Sequence, residues 1–591
     1  MKTKPRKKLK SQKFFNPDEI STLISQTLKR DLSVPQVLGT MEIPVNMLKR
    51  RQNEEFLKKY SSPSLDSTPL AQKTYQKFLA VNEHMSFFSG REMYPEPIPR
   101  LLRTTSERDK ILLRARAFMH SIVSNITEEE WFHECKNSSG SSIGVPFTDT
   151  SIEQKLRYPI TITRRAKTLF ERYLDFNFQL KEALAIHNCT ATGIFKFVEG
   201  SRSTTVEKNS DIRRMICVEP TGNMFLQQGL MSVLYKRMSR MGLNVKTLPI
   251  RHQKLALEAS ITGKLATIDW SSASDCVSIE LLRYLLPVSW FQKVDMTRCS
   301  KTTLNGELLE LNMISTMGNA VTFPLETLVF YTLAHSIRIT LENKSNSLLP
   351  NWEELKSCSV FGDDCIVPSY MAPLFIRTME EVGFLINKDK SFIDPAGRFR
   401  ESCGGDYLAG YNVRPYYIKA PTSTKKSALE PWLYIILNSL IQKYILCFGE
   451  RDYIYKPLFY VLFGLFTRYD IDIKIVPSFY PDDSGAKLSF DLPRFLSNYR
   501  LNISPIYTSE HGALSFKFCR FQYTERARKF QDLHYIQWLN QPSLTRYDPV
   551  AVKIIGDVLN AHDEHYLRRR VGGYVVGKGV TGHWSVPQVS P

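Results

Sequence analysis

Cysteine is scarce, with 10 in 591 residues. None forms a C-x-x-C pair and no Cys/His group has zinc-finger spacing, which excludes a zinc ribbon or a dithiol redox motif. Cys217, Cys276, Cys358, Cys365 and Cys447 stand among mostly apolar neighbours, a usage that fits a reducing compartment. Long hydrophobic runs are also missing. The most apolar stretch, Trp432 to Phe448, is interrupted by Asn438, Gln442 and Lys443, and Pro457 to Phe466 is too short to span a bilayer. The N-terminal MKTKPRKKLKSQK holds seven basic residues and no acid. No apolar segment follows it, so it reads as a flexible basic arm and not as a signal peptide. Internal repeats and long low-complexity tracts are lacking too. These absences lead to the expectation of a soluble cytosolic protein with no membrane role.

Acidic residues are in deficit, 59 against 78 Lys and Arg, for a formal charge of +19. So large an excess disfavours compaction and points to an anionic partner. The excess is uneven: residues 1–258 carry +16, residues 259–420 carry −3, and residues 421–591 carry +6. With 43% hydrophobic residues the chain can bury a large core. Its length suggests about three or four domains or subdomains.

Patterning is mainly helical from about 16 to 200, clearest over 105–124 and 164–185, with a Ser/Gly-rich loop at 135–150. Strands follow: GIFKFV, TTVEK, MICVE and KLATID. A helix is expected over 223–241, stopped by Gly242. Another is expected over 278–286, a strong one over 323–340 with Pro324 in its first turn, and a fourth over 374–382. KTTLNGELLEL reads as a hairpin turning on Asn305-Gly306. SVFGDDCIV reads as a second hairpin, and FLINKDKSF as a returning strand.

Four pieces carry chemistry. Gly362-Asp363-Asp364 puts two carboxylates at a hairpin tip, which alone is also an ordinary turn. Asp269 ends an apolar strand, where capping the next helix would be its plain role, and Asp275 stands six residues on. Carboxylates delivered by a strand and a hairpin suit hard divalent ions that also take phosphate oxygens. Ser315-Thr316-Met317-Gly318-Asn319 precedes the long helix. Gly318 lets backbone approach a ligand and Asn319 offers a donor and an acceptor, though capping by Ser315 or Asn319 is the simpler reading. Lys208, Arg213 and Arg214 crowd a polar turn that could hold a triphosphate, or simply face solvent.

In chain order (basic loop, carboxylate strand, Ser-Gly-Asn loop with helix, GDD hairpin, helix with Lys-bearing strand) the pieces match a right-hand polymerase palm. KNSDIRRMICVEPTGNMF, LATIDWSSASD, ISTMGNAVTF, VFGDDCIVP, NKDKSF and RFRESCGGDYLAGYNVRPYYIK resemble the replicase β subunit of single-stranded RNA bacteriophages of the levivirus, Q-beta type. The resemblance covers residues of about 200–420. It implies an α+β right-hand fold: an N-terminal region and fingers over 1–258, a palm over 259–420, and a thumb and C-terminal region over 421–591. It implies an RNA-directed RNA polymerase using two Mg²⁺ ions, for which Mn²⁺ can substitute. Asp269, Asp363 and Asp364 would be the metal ligands. Lys208, Arg213 and Arg214, with Arg202, would grip the triphosphate. Asp275 and Asn319 would read the ribose, beside Ser315 and Gly318. Lys390, or its neighbour Lys388, would protonate pyrophosphate. Arg400, Glu401, Ser402 and Cys403 would support the growing 3′ end. Glu207, directly before Lys208, departs from the small or apolar residue usual there. The implied partners are RNA template and product, NTPs, host elongation factors Tu and Ts and a host ribosomal protein, in the cytoplasm of an infected bacterium.

Two rivals remain at this point. A non-catalytic RNA-binding palm would not be expected to keep all three carboxylates, and a reverse transcriptase or cyclase fits the Asp275/Asn319 pair less well. His562-Asp563-Glu564-His565 could bind a metal, but a solvated helical face suits it better.

Overall fold

The computed structural model describes residues 15–34, 43–62, 66–95, 106–146, 155, 158–187, 193–342, 358–421, 423–450, 452–488, 502–508, 514–529 and 566–581. The basic arm over 1–13, the tail of the 135–150 loop and the His562–His565 group lie outside these residues.

The expected α+β class is what the chain adopts. Its centre is the helix Thr322–Leu341, whose side chains are buried on nearly every face. Such all-round hydrophobicity forces a helix into the middle of a large core. The helix Glu107–Val123 packs along it, capped by Ser106, whose side chain accepts from the Asp109 N–H. A three-stranded antiparallel sheet crosses the same core in the order Leu265–Ile268, Asp364–Pro368, Ser359–Phe361. Trp270 stacks on Phe330 of the central helix with ring centroids 5.5 Å apart.

A second sheet runs Arg213–Val218, Ser201–Glu207, Lys301–Leu304, Glu307–Glu310. Its last hairpin turns on Asn305 and Gly306, both at positive φ (51° and 92°), as the Asn-Gly pair predicts. The helix over Thr221–Arg240 ends where expected, with Gly242 at φ 76°. The expected FLINKDKSF strand is broken into pieces. Leu385–Ile386 pairs with Trp270–Ser271, Lys388–Lys390 makes a 3₁₀ turn, and Phe392 bridges back to Thr267. The Asn387 N–H still bonds the Asp269 carbonyl, 3.0 Å away, and the interruption is the 3₁₀ turn that follows it.

A second core joins distant parts of the chain. Phe15, Ile20, Ile24, Leu28 and Phe56 pack with Leu429, Leu433, Leu437, Phe459 and Phe463. The helix Lys426–Phe448 includes a segment, Ser427–Phe448, long and apolar enough to cross a membrane by length and composition, and it buries Leu429, Leu433, Leu437 and Leu440 in this core. Between the two cores lies the hairpin Phe399–Ser402/Gly405–Leu408. Residues 514–529 and 566–581 pair as a long antiparallel ribbon.

Candidate active site

The antiparallel register fixes the carboxylates. Cys365 opposes Ile268, so the next pair outward is Asp364 and Asp269. Phe361 pairs with Asp364, leaving Gly362 and Asp363 as the two-residue turn. Gly362 sits at φ 60°, and a Cβ there would come within 2.7 Å of the Phe323 ring, so glycine is required on both counts. Its N–H donates to Thr327 Oγ1 on the central helix at 3.0 Å, anchoring the tip.

Mutual repulsion marks the cluster. Burial, then the charges of Asp363 and Asp269, push the Asp364 carboxyl up to about 7. Burial and the Asp363 charge also raise Asp269, against Lys390, Asn387 and Lys208. Asn387 Nδ2 donates to Asp269 Oδ2, and the Asp269 N–H donates to Ser391 Oγ at 3.2 Å. Asp364 accepts from Ser402 Oγ at 3.4 Å, from the Cys403 N–H at 3.3 Å and from Cys403 Sγ at 3.4 Å. Among the described residues no three carboxylate, His or Cys side chains converge closely enough to enclose an ion as they stand. The donor set is all hard oxygen, and its raised affinity for protons is what a divalent cation would relieve.

The cationic wall comes from the second sheet. Lys208 faces Asp269, Asp363 and Lys390. Partial burial, then the charges of Arg214 and Lys390, lower its pKa, and the two aspartates raise it. Arg214 is exposed on the strand next to it. Arg213 points elsewhere: its Nε donates to Thr205 Oγ1 at 2.8 Å, its Nη2 to the Thr205 carbonyl at 3.0 Å, and it pairs with Glu207 at 3.5 Å. This accounts for the acid before Lys208, which faces Arg213 directly across the strand pair. Arg202 lies at the far end of the strand from Lys208. Lys390 acts electrostatically on both Asp269 and Lys208, whereas Lys388 figures among the leading influences on neither.

The loop before the central helix lies against the second sheet. Gly318 sits at φ 120°, and a Cβ there would meet the Cys217 carbonyl at 2.2 Å. Asn319 Oδ1 accepts from the Val321 N–H at 3.0 Å, a local turn ahead of the helix, whose cap at Val321 receives no side-chain hydrogen bond. Ser315 Oγ is buried without a hydrogen-bond partner. Asp275 is buried and pushed up to about 7 by burial, opposed by the Met317 N–H and Lys77; its Oδ1 has no partner.

The hairpin at 399–408 divides its roles. Arg400 is fully buried, and its guanidinium donates to the carbonyls of Leu265, Gly397, Phe399 and Asp394 at 2.7–2.9 Å. It therefore ties the hairpin to the Asp269 strand with four of its five N–H donors. Cys403 and Gly404 form the turn, both at positive φ (47° and 77°), and present Ser402 and Cys403 to Asp364. Glu401 is raised by burial and by Asp406, against Lys390.

Sequence reading missed three groups. Asn387 lies in NKDKSF just before the two lysines, with no local signal of its bond to Asp269. His252 Nδ1 lies 3.0 Å from Ser402 Oγ, and nothing in its helix signals this. Glu326 is a buried acid on the central helix, held well above the usual range by burial and then by Asp363 and Asp275. The signal for it is a single acid inside the apolar run FPLETLVF.

A family model described as RNA replicase, beta-chain, matches residues 18–469. The RNA-directed RNA polymerase beta chain of Enterobacteria phage fr is 32% identical over 336 residues, which are 54% of this chain and 56% of that one. The beta chain of Escherichia phage MS2 is 32% identical over 52% of this chain and 53% of its own. The RNA-directed RNA polymerase subunit beta of Escherichia virus Qbeta is 39% identical over 37% of this chain and 35% of its own. The chain thus spans about half the length, or less, of the curated relatives it matches. Among solved structures, an insertion-loop deletion mutant of the RNA-dependent RNA polymerase of a human picorbirnavirus aligns with a TM-score of 0.35 at 12% identity, over 71% of this chain and 95% of that one.

Proposed function

The chain belongs to the RNA replicase, beta-chain, family, and on that premise we propose that it is an RNA-directed RNA polymerase copying a single-stranded RNA phage genome. The observation that carries this is the facing of three mutually repelling carboxylates, Asp269, Asp363 and Asp364, by Lys208 and Lys390 across one cleft. Phosphoryl transfer needs little else than positioned charge of both signs.

Asp269, Asp363 and Asp364 would hold two Mg²⁺ ions, or Mn²⁺, which supply Lewis acidity to the attacking and leaving oxygens. The 3′-hydroxyl of the nascent strand attacks the α-phosphate of an NTP and pyrophosphate leaves. Lys208 and Arg214 hold the triphosphate, and Lys390 delivers a proton to the leaving group. Asp275, whose buried Oδ1 has no hydrogen-bond partner, and Asn319 sense the ribose beside Ser315 and Gly318. Ser402 and Cys403 orient Asp364, and Glu401 borders the 3′ end. In this reading residues 1–258 are N-terminal region and fingers, 259–420 palm, and 421–591 thumb and C-terminal region. The site of action is the cytoplasm of an infected bacterium, with host elongation factors Tu and Ts and a ribosomal protein as partners.

Asp269→Asn and Asp363→Asn should each abolish template-directed NTP incorporation, by at least about 1000-fold, while RNA binding persists. Extension by either variant at near wild-type rate would refute the assignment. Preference for dNTPs over NTPs would redirect it to reverse transcription.

A further inference from the structure

The helix Leu248–Thr262 buries one stripe, Leu248, His252, Ala256, Ala259 and Ser260, and packs against the 399–408 hairpin. Three of its side chains meet that hairpin or its exit. Ser260 Oγ accepts from the Gly410 N–H at 3.0 Å, Gln253 Nε2 donates to the Cys403 carbonyl at 3.0 Å, and His252 Nδ1 lies 3.0 Å from Ser402 Oγ. The first two tie side chain to backbone. The third goes further, because Ser402 Oγ also contacts Asp364 Oδ1 at 3.4 Å. His252 is fully buried, and its ring meets that of Phe361 edge to face, with centroids 6.3 Å apart. Phe361 directly precedes the Gly362-Asp363 turn. One imidazole thus lies against both the hairpin that carries Asp364 and the hairpin that bonds it.

A serine hydroxyl has one proton to give. An Asp364 that takes a cation is ionised and can only accept, so the Ser402 proton belongs on its Oδ1. The Ser402 oxygen must then accept from an N–H. Burial, then the Arg251 charge, push His252 down to about 3, so its ring is neutral and carries a single N–H. With that hydrogen on Nδ1, Ser402 accepts from His252 and donates to Asp364. Only the Nε2 lone pair is then left, and Nε2 is indeed buried with no partner among the described residues. With the hydrogen on Nε2, a buried N–H is orphaned, and Ser402 turns its proton to Nδ1 and away from Asp364. Orphaned buried N–H groups are the rarer and costlier case. The 3.0 Å contact also sets the hydroxyl rotor more firmly than the 3.4 Å one. The imidazole therefore decides where the serine proton points.

Resting on the polymerase reading, we propose that His252 is a positioning residue for Asp364. Held with its hydrogen on Nδ1, it turns the Ser402 hydroxyl onto Asp364 Oδ1 and so fixes that carboxylate to receive a divalent cation. Its action passes wholly through Ser402.

The test compares the full wild-type chain with four variants. His252→Leu removes the donor, and His252→Asn keeps one, since its Nδ2 can stand where Nδ1 stands. Ser402→Ala removes the hydroxyl, and His252→Leu/Ser402→Ala removes both. Mg²⁺ alone is titrated into each, and differential scanning fluorimetry reads the concentration that gives half of the melting-temperature shift. His252→Leu and Ser402→Ala should each raise that concentration by about tenfold, as loss of an outer partner of a metal ligand does. The double variant should be no worse than Ser402→Ala, and His252→Asn should recover most of the loss. For NTP incorporation at limiting Mg²⁺, kcat should follow the same order while the KM for NTP holds. Nitrogen-15 NMR of histidine-labelled, metal-free wild type should show a protonated Nδ1 in the signal that His252→Asn lacks. A protonated Nε2 there overturns the proposal. So does a His252→Leu variant that melts lower yet keeps the wild-type Mg²⁺ midpoint, a double variant whose loss is the product of the single losses, or an Asn variant no better than Leu. Should His252→Leu fail to fold, the tautomer and the Ser402→Ala midpoint decide, and an unmoved midpoint overturns it. A chain whose Mg²⁺ midpoints follow the expected order but whose wild type incorporates no NTP would sink the polymerase reading and leave the positioning role standing.

Discussion

Asp364 carries the sharpest consequence of the site's electrostatics. An aspartate in an unfolded chain titrates near 3.9, and in the folded chain burial and two neighbouring carboxylates push Asp364 up to about 7. The native state therefore binds a proton that the unfolded state has lost across that interval. The sign follows: stability of the metal-free protein falls as pH rises from about 4 to 7 and levels off above. Asp364→Asn removes the ionisable group, so at pH 8 without metal it should melt higher than wild type, by about 3 °C. Adding Mg²⁺ should raise the wild-type melting temperature and leave the variant nearly unmoved. Equal Mg²⁺ shifts in both, read by differential scanning fluorimetry, would show that the ion does not bind at Asp364. The residue types at this centre were legible in the sequence because a strand-end Asp and a Gly-Asp-Asp turn have distinctive local patterns. Asn387 and His252 were not legible, since each gains its role only by meeting a carboxylate or hydroxyl from a distant element.

Elements deliver these groups through a few fixed ties. The 399–408 hairpin aims Ser402 and Cys403 at Asp364, and its angle to the Asp269 strand is held by Arg400. Four carbonyls accept from that one buried guanidinium. Arg400→Met keeps much of the volume but leaves those carbonyls without donors, at a cost of about 2–4 kcal/mol. The denaturation midpoint should fall accordingly and kcat with it, whereas the KM for NTP should hold, because Lys208 and Arg214 sit on another sheet. A loss of stability with kcat intact would mean that the hairpin angle does not matter to Asp364. Most elements could be foreseen from local signals: the Asn305-Gly306 turn, the Gly242 stop, and the apolar helix behind Pro324. Arg400 shows the limit of that approach. In sequence it reads as one more cation of a nucleic-acid enzyme, and only its burial against backbone oxygens reveals a structural tie. The broken strand at 385–392 is a similar case, since a 3₁₀ turn at 388–390 separates its two pairings with distant residues.

At the scale of the whole molecule, residues near 50 meet residues 406–416. Arg51 pairs with Glu55 and with Asp406, each at 2.8 Å, and Gln52 exchanges hydrogen bonds with the Tyr416 backbone at 2.7 and 3.1 Å. No local pattern predicts contacts between residues more than 350 apart, so the joining of residues 15–60 to the C-terminal core was invisible to sequence reading. What the sequence does expose is the charge plan, with +16 and +6 flanking a centre of −3. The acids of the centre include the carboxylates of the cleft, and the flanks supply Lys208, Arg214, Lys59 and Lys443. RNA affinity should therefore rest on the flanks and chemistry on the centre. Binding of a single-stranded template should weaken with salt, with a log–log slope of about −0.7 for each phosphate neutralised. Asp363→Asn should keep that slope within error while losing turnover. Lys59→Gln with Lys443→Gln should flatten it by about 1.4. If instead the aspartate variant changed the slope and the lysine variant did not, the division between binding flanks and a catalytic centre would fail, because titrating RNA at several salt concentrations reads the charge contacts independently of any nucleotide being joined.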